Sequence, residues 1–284
     1  MSITLSAFSD EAAESAEGQI AAVGRAGLRF LDLRTVDGIN ISELPIEHAK
    51  ALRQKLAAAN LKVGMFGSPI GKIDIADDPE IDLRRLRHLA ELADVLDCRS
   101  VRIFSYYNRA GADLEKWRSE TFRRFAGLLR VARESALLLY HENELDIFGQ
   151  MAQQAAEIAA EFGVGADSSL RLIFDFDNYQ RAGENIARAF ERLQPLTAAF
   201  HLKDSVGENH VPVGAGAGQV RPIITRAVAD GFSGFMSIEP HLNGSAAPCA
   251  SGQAFKTCSH ADNFSVACAA AVALLKQAGV PSYL

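Results

Sequence analysis

The chain alternates between two hydrophobic periods. Short apolar runs fall at residues 3–8, 28–34, 61–66, 100–104, 137–144, 170–174, 197–202 and 234–238. Between them lie longer stretches whose apolar residues return every three or four positions, as Leu83, Leu86, Leu89 and Leu92 do. The short runs read as covered strands of a parallel sheet, and the longer stretches as amphipathic helices packed on it. Helices are predicted from the Ser9-Asp10-Glu11 cap through Ile20 and Val23 to Gly27, and over 46–59, 80–96, 113–134, 149–161, 186–193, 221–229 and 263–277. No linker divides the chain, and the strand–helix unit is its only repeat. Eight such units over 284 residues predict one α/β domain, a (β/α)₈ TIM barrel spanning 1–284, before any doubly wound sheet.

The later strands share a second pattern: each apolar run ends in a polar, chemically capable residue. Leu137-Leu138-Leu139-Tyr140-His141 leads to Glu142, Leu172-Ile173-Phe174 to Asp175, Ala198-Ala199-Phe200 to His201, and Phe235-Met236-Ser237-Ile238 to Glu239. In a closed barrel these C-terminal strand ends converge on one mouth, where α/β folds bind ligands. Three carboxylates at close range repel one another unless protonated or bound to a cation. Three oxygens and an imidazole suit one divalent ion, Mn²⁺, Mg²⁺, Co²⁺ or Zn²⁺. Such an ion polarises a carbonyl and stabilises an enediolate, with a nearby glutamate as base. Glu144 and Asp177 offer alternative oxygens beside Glu142 and Asp175. A lone acid at a strand end is more often a cap or a loop ion pair. It is the recurrence on four strands that favours the metal reading.

Composition narrows the partners. At 48% hydrophobic and 23% charged, the chain is an ordinary globular one. Its formal charge of −6 argues against nucleic acid as the main partner. No apolar run approaches the roughly 18 residues of a membrane span, and no secretory signal is visible. Cys98, Cys249, Cys258 and Cys268 form no C-x-x-C pair, so a structural zinc site is not expected. Reduced thiols and a cytoplasmic location are the expectation.

The chain resembles the xylose-isomerase-like barrel superfamily of sugar-phosphate isomerases and epimerases. The likeness covers nearly its whole length, from Phe8-Ser9-Asp10-Glu11 to Glu239-Pro240-His241-Leu242. The matching pieces between are Leu33-Arg34, Ser68-Pro69-Ile70-Gly71-Lys72, Arg102-Ile103-Phe104-Ser105, Glu142-Asn143, Asp175-x-x-Asn178, His201-Leu202-Lys203-Asp204 and Gly214-x-Gly216. The resemblance implies that Glu142, Asp175, His201 and Glu239 are the metal ligands, and it selects Asp175 over Asp177. It further implies that Glu142 and Glu239 are the acid–base pair. Two departures stand out. Asn178 lies where several epimerases and the endonucleases of the superfamily have histidine. No arginine follows the strand-seven histidine, and only Lys203 can take its place. The implied activity is a metal-dependent isomerase or epimerase of a small sugar or keto-acid. A dehydratase of a cyclic polyol or keto-acid is the alternative. An apurinic-site endonuclease fits less well, because it needs extra histidines and strands two to four end in Arg34, Ser68 and Ser105.

Other polar residues at strand ends are candidates for holding substrate: Arg34, Ser68, Lys72, Arg102, Asn178, Lys203 and His241. Arg34 and Arg102 can grip a carboxylate or phosphate through a planar fork, or pair with Asp32 or a neighbouring acid. The glycines at 214, 216 and 218 can cradle phosphate with backbone N–H groups, or simply form a flexible loop. His141 alternates away from Glu142 and is expected to pack. The small-residue stretch 240–261 is expected to close the mouth or to meet a second copy of the chain, and a homo-oligomer is compatible with either reading.

Overall fold

The computed structural model describes residues 2–165, 168–280 and 282–284. Eight parallel strands run in chain order around a barrel: β1 Ile3–Ala7, β2 Phe30–Leu33, β3 Lys62–Phe66, β4 Ser100–Ile103, β5 Leu138–Glu142, β6 Leu170–Asp175, β7 Thr197–Leu202 and β8 Gly234–Ile238. β1 pairs with β8 over five residues, Ile3 with Gly234 through Ala7 with Ile238. The β1–β2 seam is closed by one bridge, Phe8 to Asp32. Lower on that seam Leu284 fills in. Leu284 N–H donates to Ile3 O at 2.9 Å, and Leu5 N–H donates to Leu284 O at 3.2 Å.

Helices α1 Ala16–Arg25, α2 Ile46–Ala58, α3 Glu80–Leu96, α4 Leu114–Glu134, α5 Ala152–Phe162, α6 Phe176–Arg181, α7 Ile186–Leu193, α8 Val220–Ala229 and α9 His260–Gln277 connect and cover the strands. Apolar residues pack in two places. The larger cluster joins the outward faces of the strands to the helices, through residues such as Leu33, Leu89, Leu139 and Leu275. A smaller one, Met65, Tyr140, Ile173 and Ala199, fills the barrel interior. Tyr140, Ile173 and Ala199 each lie two residues before a strand-end polar residue. Alternation along a strand therefore puts Glu142, Asp175 and His201 on the same inward face, one layer nearer the mouth.

The predicted elements differ from the observed ones in several places: α5 begins three residues later than expected, at Ala152, and two short antiparallel hairpins, 35–40 and 204–211, interrupt stretches read as loop or strand end. Ser9 and Asp10 do not cap α1, since they form a short 3₁₀ turn, and Ser15 caps the helix by accepting from Gly18 N–H. Asp175 caps α6, a helix absent from the pattern because its residues are mostly polar or aromatic. The final helix begins three residues earlier than expected, at the Ser259 cap. The stretch after β8 lies on the mouth side of the barrel. Asn243 Nδ2 donates to Glu11 O at 2.8 Å, and Ser245 Oγ donates to His210 O at 2.6 Å.

Candidate metal centre

Glu142, Asp175, His201 and Glu239 meet at the mouth, each buried, with one ligand atom from each within 4.8 Å of the others. His201 Nδ1 is the nitrogen that faces the acids, at 2.8 Å from Glu142 Oε1, 3.3 Å from Glu239 Oε2 and 3.8 Å from Asp175 Oδ2. Backbone contacts hold the acids in place. Asn143 clamps the Asp175 peptide from both sides: its Oδ1 accepts from Asp175 N–H at 2.9 Å, and its Nδ2 donates to Asp175 O at 3.0 Å. Asp175 Oδ1 is spent on the helix cap, accepting from Asn178 N–H at 2.8 Å. That leaves Asp175 Oδ2, and likewise Glu142 Oε2, buried without an aligned hydrogen-bond donor. Buried carboxylate oxygens are rarely left so unless something else occupies them.

Three cations crowd the same acids. Arg102 Nη1 lies 3.2 Å from both Glu142 Oε2 and Glu239 Oε1. Lys203 Nζ lies 3.0 Å from Asp175 Oδ2 and 3.6 Å from Glu239 Oε2. Arg34 reaches Glu239 Oε1 at 3.0 Å, Asp10 Oδ2 at 2.8 Å and Glu11 Oε1 at 3.1 Å. The Phe8 ring lies against both guanidinium groups, 5.1 Å from Arg34 and 4.8 Å from Arg102. Five carboxylates, Asp10, Glu11, Glu142, Asp175 and Glu239, thus face three permanent cations. The deficit is two positive charges, the charge of one divalent ion. The donor set and this deficit fit a divalent metal.

The protonation pattern of the ion-free protein follows from the same contacts. Burial pushes Asp175 up to about 8 against the pull of the Lys203 charge, and the Glu142 charge also opposes its ionisation. Burial also disfavours charge on His201, but the charge and hydrogen bond of Glu142, with Glu239, carry its imidazolium up to about 10. Burial works against Glu142 as well, yet His201 and Arg102 bring it down to about 2. Glu239 is held well below the usual carboxylate range against burial, by Lys203 and His201. Two protons, one on Asp175 and one on His201, therefore stand at neutral pH where the charge deficit would otherwise be.

The remaining candidates separate by what they touch. Asn178 Nδ2 donates to Asn143 O at 2.8 Å and lies 3.4 Å from Glu142 Oε1, so it braces the centre. His241 Nδ1 is 2.7 Å from Glu11 Oε1, and its ring borders the mouth with about a third of the side chain exposed. Lys72 Nζ pairs with Glu144 Oε2 at 2.8 Å over the Phe104 ring. Ser68 is turned into the barrel wall, where its Oγ donates to Arg102 O at 2.5 Å. Arg34 and Arg102 do not present a free fork to an incoming anion, and neither pairs with Asp32, whose Oδ2 accepts from Ser6 Oγ. Asp177 is drawn off by Arg181 and His210. His141 packs as expected, with Nε2 3.0 Å from Ser105 Oγ, and burial lowers its imidazole to about 4.

The glycine loop holds an anion, but the anion is the protein's own. Asp204 accepts from the N–H groups of Gly214, Gly216, Gly218 and Ser205, at 2.9–3.0 Å. A Cβ at Gly216 would overlap that carboxylate. No phosphate cradle is left. Asp204 and Asn143 are the structuring residues that spacing did not single out, although both lie beside a predicted ligand or its neighbour.

Fold and site together define a (β/α)₈ barrel with a buried carboxylate–histidine cluster at its mouth. Residues 20–256 match the model of the xylose isomerase-like TIM barrel family. The chain belongs to that family. Solved structures similar to it include the IOLI protein with a bound zinc atom, at 14% identity and TM-score 0.74 over 96% of this chain and 98% of that one. The 3-keto-D-glucoside 4-epimerase YcjR of E. coli has 14% identity and TM-score 0.70, over 97% and 99%. The probable 3-DHS dehydratase AsbF of Bacillus anthracis has 16% identity and TM-score 0.69, over 96% and 99%. Comparison with curated protein sequences found no match.

Proposed function

We propose that the protein is a divalent-metal-dependent isomerase or epimerase of a small sugar, working by proton transfer between Glu142 and Glu239. The observation that carries this reading is the cluster itself: three carboxylates and an imidazole, all buried, with one ligand atom from each within 4.8 Å of the others. Glu142, Asp175, His201 and Glu239 would hold the ion, which when bound supplies the Lewis acidity that makes a hydrogen beside a carbonyl removable. Glu142 and Glu239 end strands on different sides of the mouth. One removes the proton from the substrate carbon, and the other returns it to the same or the adjacent carbon. Arg102, bridging both glutamates, keeps them ionised and aimed. Asn178 N–H fixes the Asp175 side chain, and the Asn143 side chain fixes the Asp175 backbone.

The charge arrangement favours a sugar over the keto-acid alternative. Among the described residues at the mouth, Arg34, Arg102, Lys203 and Lys72 are each committed to a carboxylate. The glycine-loop amides are committed to Asp204. Hydroxyl groups need no counter-cation, and the rim side chains Arg34, His241 and Lys72 can hydrogen-bond to them.

Glu142→Gln and Glu239→Gln each test the reading, since glutamine is nearly isosteric and cannot accept the proton. Turnover should fall by about 10²–10⁴-fold beyond any loss of metal occupancy, which elemental analysis measures beside the rate because both glutamates are also proposed ligands. Turnover in D₂O should place deuterium on the substrate carbon. Product free of solvent deuterium, with exchange excluded, would remove the two-glutamate mechanism. The similarity to a dehydratase keeps elimination as the second reading. It predicts an unsaturated carbon in the product's NMR spectrum.

A further inference from the structure

The segment between β8 and α9 carries chemistry that the barrel mouth does not use. It folds as a hairpin, with Pro248 bridged to Ala254, Cys249 N–H donating to Gln253 O at 2.7 Å, and Gly252 at φ +80° making the turn. The Phe255–Thr257 3₁₀ turn follows, anchored by the buried Phe255. This path brings Cys258 back beside Cys249, with the two Sγ atoms 3.0 Å apart and both thiols free. Each cysteine is half-buried, and Ala250, Ser251, Gly252, Gln253, Lys256 and Thr257 around them are exposed. The other two cysteines are the contrast. Cys98 and Cys268 are enclosed in the core, where burial pushes each thiol up to about 12, so neither is reactive near neutral pH.

We propose that Cys249 and Cys258 form a reactive dithiol that low-molecular-weight disulfides oxidise to an intramolecular disulfide, clasping the hairpin to the turn that follows it. Cys249 is the attacking sulfur. Ser251 Oγ lies 3.0 Å from it, and hydrogen bonding from Ser251 and Cys258 brings its thiol down to about 7, whereas Cys258 is raised by sharing with Cys249. A thiol that ionises near ambient pH combines thiolate population with nucleophilicity. The Cys249 thiolate attacks one sulfur of the external disulfide. That S–S bond breaks, a mixed disulfide forms, and the departing thiolate takes a proton from solvent. Cys258 loses its proton to solvent and attacks the Cys249 sulfur, forming the internal S–S bond and expelling the second external thiol. Two protein thiols lose two electrons and one external disulfide gains them, so no other oxidant is required. The sulfurs already face one another, so closure needs a shift of about 1 Å to reach an S–S bond. The inference is independent of the reaction at the barrel mouth.

The test uses the full-length protein and oxidised glutathione at pH 7.5, followed by intact mass and peptide mapping. Wild type should lose the mass of two hydrogens and yield a peptide cross-linked between Cys249 and Cys258, while Cys98 and Cys268 remain alkylatable after unfolding. Cys258→Ser should stop at the glutathione adduct on Cys249. Cys249→Ser should react at Cys258 at least about tenfold more slowly, since the Cys258 thiol donates to Ala254 O and lacks the Ser251 contact that favours a thiolate at Cys249. Hydrogen exchange over 246–258 should slow in the oxidised wild type and not in either variant. Native protein that stays fully reduced under these conditions would overturn the proposal. So would glutathione accumulating on Cys249 of the wild type without closure, or equal reaction rates in the two variants.

Discussion

Asp204 shows how one side chain decides what a loop can do. Its carboxylate occupies four backbone N–H groups, three of them from the glycines that suggested a phosphate site. Asp204→Ala would leave those donors unpaired in a mostly buried place. A loss of about 2–4 kcal/mol of stability is expected, read as a lower urea midpoint, with residues 212–219 exchanging amide hydrogens faster. The site residues predict a pH effect whose sign is fixed. A metal ligand must be deprotonated, and in the ion-free protein Asp175 holds its proton up to about 8 and His201 up to about 10. Both pKa values are raised, so at pH 6–7 each site still carries its proton and an entering ion must displace it. Divalent-metal affinity should therefore climb as pH rises from 6 toward 9. Calorimetry in buffers of different ionisation enthalpy should find close to two protons released per ion near pH 7. Affinity that is flat over this range would mean that the two protons are held elsewhere.

At the scale of elements, the sequence was most informative where burial left it no choice. A strand covered on both faces must be apolar, so a polar residue at its end is conspicuous, and Glu142, Asp175, His201 and Glu239 could be picked out on that ground. The alternation of the first three with Tyr140, Ile173 and Ala199 also set which face those three share. What spacing could not reveal was pairing between elements. Nothing in the chain says that Arg34, just past β2, meets Asp10, Glu11 and Glu239 rather than Asp32, because that depends on which strand-end layer each side chain occupies. Nor does a separation of nine residues say that Cys249 and Cys258 touch, since that requires the hairpin between them. Helix starts were misread where several capping residues compete, as Ser9, Asp10 and Ser15 do before α1. At the start of α9 the Ser259 cap accepts from Asp262 N–H and donates to Asp262 Oδ2 at 2.6 Å. Ser259→Ala should cost about 1 kcal/mol in chemical denaturation, with the ends of the segment 240–258 fraying first.

For the whole molecule, the seam between β1 and β2 has a consequence in time. β1 is the first barrel strand a ribosome completes, yet all its registered partners lie on β8, and its other edge is held by Leu284 and by the Phe8–Asp32 bridge. Most of those contacts join residues more than 200 positions apart, so closing them carries the largest loop entropy in the chain. β2 to β8 can assemble from neighbours in sequence, whereas β1 must wait, unpaired, until residues 234–284 have emerged. An exposed strand that waits is vulnerable to wrong pairing. The same order should run backwards in the mature protein, with the last contacts made being the first to breathe. Native-state hydrogen exchange is expected to find the Leu5 and Leu284 amides opening at lower free energy than the Leu139 amide, which β6 and its approach hold through Ser169 O at 2.8 Å. Equal protection at all three positions would mean that the barrel opens only as a unit. If the seam does open separately, pausing synthesis before residue 234 should leave β1 susceptible to protease, and emergence of residues 234–284 should remove that susceptibility.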